Sequence, residues 1–289
     1  MSAAAHPNRF EPIFEPIHEA HAIEQAALTL QFGQPIDALH FKGAVDAFRQ
    51  LFAAGAGAQL PGEVQIQAPI IGFQIGNAAV QQLSASSSGH VFTRTSPAGV
   101  IEKELRLDSV GVVFRSAVYT RWMDMAGDAS RFLDVLLPFY GDPLSIASIG
   151  YTVVDKFLWK GAPEQCDPTL LLRPRSKYVC PHVFDERDMW HSHTGVFIRE
   201  DAHTKRLLNL NLDCLEEALP SGDTRRVISV TTVVTDSFNQ PSYQGLTPVP
   251  LHSAGLFVSS KMDAVHDFSK KVFAESINDA TCQRIALVS

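Results

Sequence analysis

Ile101-Glu102-Lys103-Glu104-Leu105-Arg106-Leu107-Asp108 is the stretch whose reading decides the fold class. Successive side chains of a strand point to opposite faces, so Ile101, Lys103, Leu105 and Leu107 share one side. Glu102, Glu104, Arg106 and Asp108 share the other. A strand that is apolar on one side and charged on the other is half-solvated, which marks an antiparallel sheet. Working outward, Val110 to Phe114 reads as the next strand. The segments 26–32, 146–159, 190–199, 206–213 and 226–236 read as further strands. In the fourth of these Leu208, Leu210 and Leu212 face one way while Asn209, Asn211 and Asp213 face the other.

Between the strands the period changes to three and four. Asp37 is placed to cap a helix striped by Phe41, Ala44, Val45, Phe48, Leu51 and Phe52, and Gly55 and Gly57 end it. A second helix is expected from about Thr120 to Leu137, with Trp122, Met125, Ala129, Phe132, Leu133 and Leu136 inward and Pro138 as its stop. A close approach to the sheet would explain Gly127 inside it. Ser260 and Asp263 resemble a capping box that opens a terminal helix to about Ala280, striped by Met262, Val265, Phe268, Val272, Phe273 and Ile277. Loops are expected at 84–89, 220–223 and 241–250.

These elements predict an α+β protein of two similar lobes, each a curled antiparallel sheet packed on helices. The lobes span 21–141 and 142–289, meeting at Gly141-Asp142-Pro143, with residues 1–20 as an N-terminal arm. In the arm Phe10-Glu11-Pro12-Ile13-Phe14-Glu15-Pro16-Ile17 alternates apolar residues with Glu and Pro, which excludes a regular helix. Ile13, Phe14 and Ile17 are its expected interface residues. Burying them contributes about 1.5–3 kcal/mol each, and ordering about eight backbone residues costs at least as much. The arm therefore needs backbone hydrogen bonds, best obtained beside a strand.

Composition narrows the function classes. With 24 Lys and Arg against 31 Asp and Glu, the chain carries a formal charge of -7. That field repels a phosphate backbone unless cations are segregated, so no nucleic-acid partner is expected. No run approaches the ~20 apolar residues that cross a bilayer, and residues 1–7 lack the pattern of a signal peptide. A soluble cytoplasmic protein with no membrane partner is expected. The cysteines Cys166, Cys180, Cys214 and Cys282 are too scattered for a disulfide framework, and Cys214 and Cys282 read as core.

The one polar constellation with chemical content is Cys180-Pro181-His182 followed by His191-Ser192-His193. On a strand, His191 and His193 point the same way, at a spacing compatible with one zinc ion. Cys180 and His182 would complete the ligand set, with Glu186 or Asp188 acting on metal-bound water. Solvated polar residues are the alternative account. A Cys180 nucleophile paired with His182 or His191 lacks a glycine elbow or a helix N-terminus behind it. Arg173, Arg175 and Lys177 alternate, as a solvated edge would, or as a cradle for an acidic partner. Gly55-Ala56-Gly57 follows a helix and lacks the Lys-Ser/Thr of a phosphate loop. Asp124, Asp128 and Asp134 read as a solvated helix face.

The chain also resembles a sporadically distributed family of uncharacterised bacterial proteins. The resemblance lies in Pro16-Ile17-His18-Glu19-Ala20, the Tyr-x-x-Trp of Tyr119-Thr120-Arg121-Trp122, and the Asp-x-Phe of Asp155-Lys156-Phe157. It continues in the strand 208–213 and in a terminal helix with Phe273 and Ile277-Asn278-Asp279. Where that family carries an Arg-Tyr-Ile-Asn-like strand, this chain has Gly150-Tyr151-Thr152-Val153. The resemblance implies a globular two-lobed architecture and no particular activity. The apolar arm, the half-solvated strands and the lack of a catalytic signature point to a non-enzymatic protein-binding or assembly protein, homo-oligomeric and without cofactor. The alternative is a zinc-dependent hydrolase at the Cys/His cluster.

Overall fold

The computed structural model describes residues 14–55, 57–69, 86–219, 222–238 and 245–287. It is an α+β fold built on one ten-stranded sheet. In chain order the elements are β1 (Phe14–Pro16), β2 (Ile23–Phe32), α1 (Ala38–Phe48), β3 (Gly62–Pro69), β4 (Ser86–Thr95), β5 (Ile101–Asp108), β6 (Gly111–Ser116) and α2 (Trp122–Leu136). The second half comprises β7 (Ile146–Trp159), β8 (Trp190–Arg199), β9 (Lys205–Ala218), β10 (Thr224–Ser237), α3 (Leu251–Ser276) and α4 (Asp279–Arg284). Every strand pair is antiparallel, in the order β3-β4-β5-β6-β2-β7-β10-β9-β8. The two expected sheets are thus joined into one, because β2 and β7 pair from Ile23 opposite Asp155 to Phe32 opposite Ile146. Each half nevertheless runs strand, crossover, antiparallel meander, helix.

The alternation predicted for residues 101–108 holds, with Leu105 and Leu107 buried. On every central strand one parity is buried: Ala26, Leu28 and Leu30 on β2, Ile149, Tyr151 and Val153 on β7, Leu208, Leu210 and Leu212 on β9. The helices lie on that covered face. Five phenylalanine rings tie α1 and α2 to it. Phe48 meets Phe92 at 4.8 Å, and Phe132 meets Phe114 at 5.3 Å and Phe52 at 4.9 Å. Asp37 caps α1 as expected, accepting from the amides of Leu39 and His40.

Several expectations are corrected. The helix after Asp37 widens into a π turn over Arg49–Ala53, which shifts the phase of the stripe and turns Leu51 out to 63% exposure. Gly127 makes no close contact, since a Cβ there would meet nothing within 4 Å. Asp128 is buried, paired with Lys103 and Arg131, because the inward-facing Lys103 of β5 needs an acid beneath α2. The polar stretch Ser86–Gly89, expected in a loop, belongs to β4 and pairs with residues 66–69. The last long helix begins at Leu251, well before Ser260. Its cap comes from across the chain, where Asp142 Oδ1 accepts from the Leu251 amide at 3.0 Å.

The arm does run beside a strand. β1 pairs with β7, Phe14 opposite Trp159, on the same edge that β2 occupies farther along. Phe14 is buried against the Trp159 ring at 4.9 Å, and Arg284 Nη1 donates to its carbonyl at 2.7 Å. Ile17 is half-buried, and Ile13 lies outside the described residues. Replacing Phe14 and Ile17 together by serine is expected to cost about 2–4 kcal/mol. It should raise amide exchange in residues 14–17, read by mass spectrometry. Equal exchange in both proteins would show that the side chains do not hold the arm.

Candidate functional site

The Cys/His residues sit at the β8 edge, and the pleat divides them. His191 pairs with Asp213 and His193 with Asn211 across β8 and β9. His191 Nδ1 lies 2.6 Å from Asp213 Oδ1, and His193 Nδ1 contacts Asn211 Oδ1. Both imidazoles point away from the helices. Cys180 lies on the other side, its Sγ 3.8 Å from the hydroxyl of Thr194, whose parity is that of the covered face. His182 is exposed in the short turn that precedes β8. Glu186 is exposed, and the Asp188 carboxylate pairs with Arg226 at 3.3 Å. Among the described residues no three His, Cys, Asp or Glu side chains are grouped to hold a metal. Of the residues expected as a zinc set, His191 and His193 share the outer face of β8, while Cys180 lies on the covered side and His182 in the turn before the strand. A strand offers only its alternate residues to one site, and Cys180 enters from the opposite face.

Two of the three cations of the basic strip, Arg173 and Lys177, pair within the chain. Arg173 pairs with Asp279 at 2.8 Å and Lys177 with Glu275 at 3.3 Å, which ties the turns after β7 to the C-terminal helices. Cys166, Cys214 and Cys282 are buried, and no disulfide links the four cysteines.

Two arrangements remain. The first is the face of the sheet opposite the helices. Its centre carries Ala27 and Thr29 of β2, Thr152 and Val154 of β7, and Thr231 and Val233 of β10, all half-buried by their neighbours on the sheet. Among the described residues no helix packs on it. Charges lie toward its ends in opposite-sign pairs, Arg115 with Glu104 and Lys156 and Arg225 with Glu217, and the His191 ring meets the Asp213 carboxylate there. Phe197 of β8, opposite Leu207, is 58% exposed, and Leu215 of β9, beyond the Trp190–Cys214 pair at the other end of that ladder, is 46% exposed.

The second arrangement lies on the covered face where β1 gives way to β2. Asp155 stands at an inward position of β7, 3% exposed, between the inward Val153 and Phe157. Among the described residues no hydrogen bond or ion pair reaches its carboxyl, and burial pushes its pKa up to about 8. Tyr151, four residues earlier on the same face, has its phenol beside that of Tyr119. Burial raises both phenols, Tyr119 to about 12. His21 packs its ring against Tyr119 at 5.9 Å and against His18 at 4.7 Å. Burial, and then the neighbouring His18, hold its pKa below the usual imidazole value. Trp122 stacks on His266 at 4.1 Å, meets Tyr151 edge-on at 5.4 Å and donates from Nε1 to Asp263 at 2.7 Å. Burial lowers the His266 pKa as well.

Motif spacing did not point to the cluster, whose members come from four elements. One signal was present. Asp155 interrupts an otherwise apolar and aromatic inward parity on β7, running Ile149, Tyr151, Val153, Phe157, Trp159. A carboxylate at such a position demands an explanation. No family model, curated protein or solved structure matches the chain.

Proposed function

We propose that this protein is a non-enzymatic binding and assembly protein that takes a protein partner, first of all a second copy of itself, on the helix-free face of its sheet. The observation that supports this reading is the centre of that face. Ala27, Thr29, Thr152, Val154, Thr231 and Val233 form an uncharged surface of small and β-branched side chains, uncovered among the described residues. Such a surface is cheap to desolvate and needs few rotamers to be ordered on docking. The paired charges toward its ends leave a polar rim rather than a basic track, which favours a protein over a nucleic acid. In this reading the halves are two similar lobes fused through β2 and β7, and kinship with the scattered bacterial family accounts for the shared motifs. The protein works in the cytoplasm, without a cofactor and away from membranes.

The test is light scattering after size exclusion across micromolar concentrations, on wild type and on Thr152→Lys with Val233→Lys. These residues face each other across β7 and β10, so two lysines set like charges at the centre of the contact. Self-association should weaken by about tenfold or more. The unfolding free energy should change by less than about 1 kcal/mol. A strictly monomeric wild type would remove self-assembly, and a variant that associates as tightly as wild type would remove this face.

A further inference from the structure

The β1 and β2 strands lie end to end along one edge of β7, and the residues between them leave that edge and return to it at a single position. The Ile17 amide donates to the Lys156 carbonyl at 3.2 Å, and the Lys156 amide donates to the Ala22 carbonyl at 2.8 Å. Residues 18–21 therefore form a loop standing directly beside Asp155, whose register partner is Ile23. The Ile23 amide donates to His21 Nδ1 at 3.2 Å. A ring nitrogen that accepts a hydrogen bond holds no proton, so this turn requires neutral His21. The imidazole packs on the Tyr119 ring at 5.9 Å, and the Tyr119 and Tyr151 phenols both lie close enough to Asp155 for its charge to add to burial in raising their pKa.

We propose that the 17–22 loop is a proton-operated latch, which holds the β1 arm on β7 while the Asp155 carboxyl is protonated and His21 is neutral. A neutral acid is tolerated in this buried place, whereas an ionised one has no donor to meet it among the described residues. Opening the loop admits water, so the open state ionises Asp155 at an ordinary carboxylate pKa. Between that value and about 8, opening releases one proton and is favoured by rising pH. His21 acts in the opposite sense. Its closed-state pKa lies below the usual imidazole value, so opening takes up a proton in acid. The other ionisable groups on the surrounding elements are His18 and Glu19 on the loop, Tyr119 and Arg121 before α2, Asp124 on α2, Tyr151 on β7, and Asp263, His266, Asp267 and Lys270 on α3. Arg121 and Asp124 pair with each other, as do His266 and Asp267, and among the described residues no cation pairs with Asp155.

The experiment is hydrogen exchange on the full chain, following the protection factors of the Ile17 and Lys156 amides from pH 5 to 8.5. Protection should fall about tenfold per pH unit from about pH 6.5 to 8, because one proton is released on opening. Below about pH 6.5 the slope should flatten, since uptake at His21 then offsets release at Asp155. In Asp155→Asn, which keeps the neutral shape, protection should be independent of pH across the upper range. Carbon NMR of labelled aspartate carboxyls reads the same group without any substitution, and one resonance should titrate near pH 8. A flat wild-type profile would overturn the latch. So would a slope that persists in Asp155→Asn, or a full set of carboxyls titrating at ordinary values.

Discussion

Replacing Asp236 by alanine should destabilise the protein by about 3–5 kcal/mol, the usual consequence of stripping one member from a buried ion pair. The carboxylate is fully buried on β10. It receives Arg206 Nε at 2.7 Å and Nη2 at 2.9 Å, a two-pronged match that satisfies both partners. Arg206 is itself buried, with Glu200 at 3.2 Å and the Phe268 ring 4.8 Å beneath the guanidinium. Removing Asp236 leaves that guanidinium desolvated with only a partly exposed acid to answer it. The pair together is a different matter, since apolar residues of similar volume often replace a buried ion pair without loss. Arg206→Met with Asp236→Leu should therefore regain most of the stability lost in the single variant. Denaturant unfolding of the three proteins measures both effects. A single-variant loss below about 1 kcal/mol would mean that water reaches the arginine in the native state.

Phe132→Ala should cost a similar amount, about 3–5 kcal/mol. Phe132 is 1% exposed and stands where α1, α2 and the sheet meet, touching Phe48 at 5.4 Å, Phe52 at 4.9 Å and Phe114 at 5.3 Å. Its contacts with Phe52 and Phe114 are edge-to-face, a geometry that contributes beyond the area buried. The surrounding rings are fixed to three different elements and cannot all close on the void. Phe132→Leu, which keeps most of the volume, should lose clearly less. Equal losses in the two variants would show that shape at this position does not matter.

The strands and their faces were legible in the sequence because a half-buried strand writes its environment into every second residue. Residues 101–108, 146–159 and 190–199 are found where the alternation put them, and the stripes of α1 and α2 follow the same local logic. The arm was legible by magnitude, since its apolar residues were too few to dock without backbone partners. Where elements were missed, the deciding group was remote. The start of α3 depends on Asp142, and the burial of Asp128 depends on Lys103 of β5.

The candidate sites divide in the same way. Each residue of the Cys/His cluster was visible, but only strand register and the pleat decide that Cys180 and the two strand histidines take opposite faces. That the strands join into one sheet with a wide helix-free face rests on the pairing of β2 with β7, which no local pattern specifies. Asp155 was in view as an acid among apolar neighbours, yet its meaning required His21, Tyr119 and Tyr151 from other parts of the chain. Periodicity reports which side of an element is buried, because burial selects residues one at a time. Convergence of distant side chains is selected by the fold as a whole, and only the tertiary structure decides it.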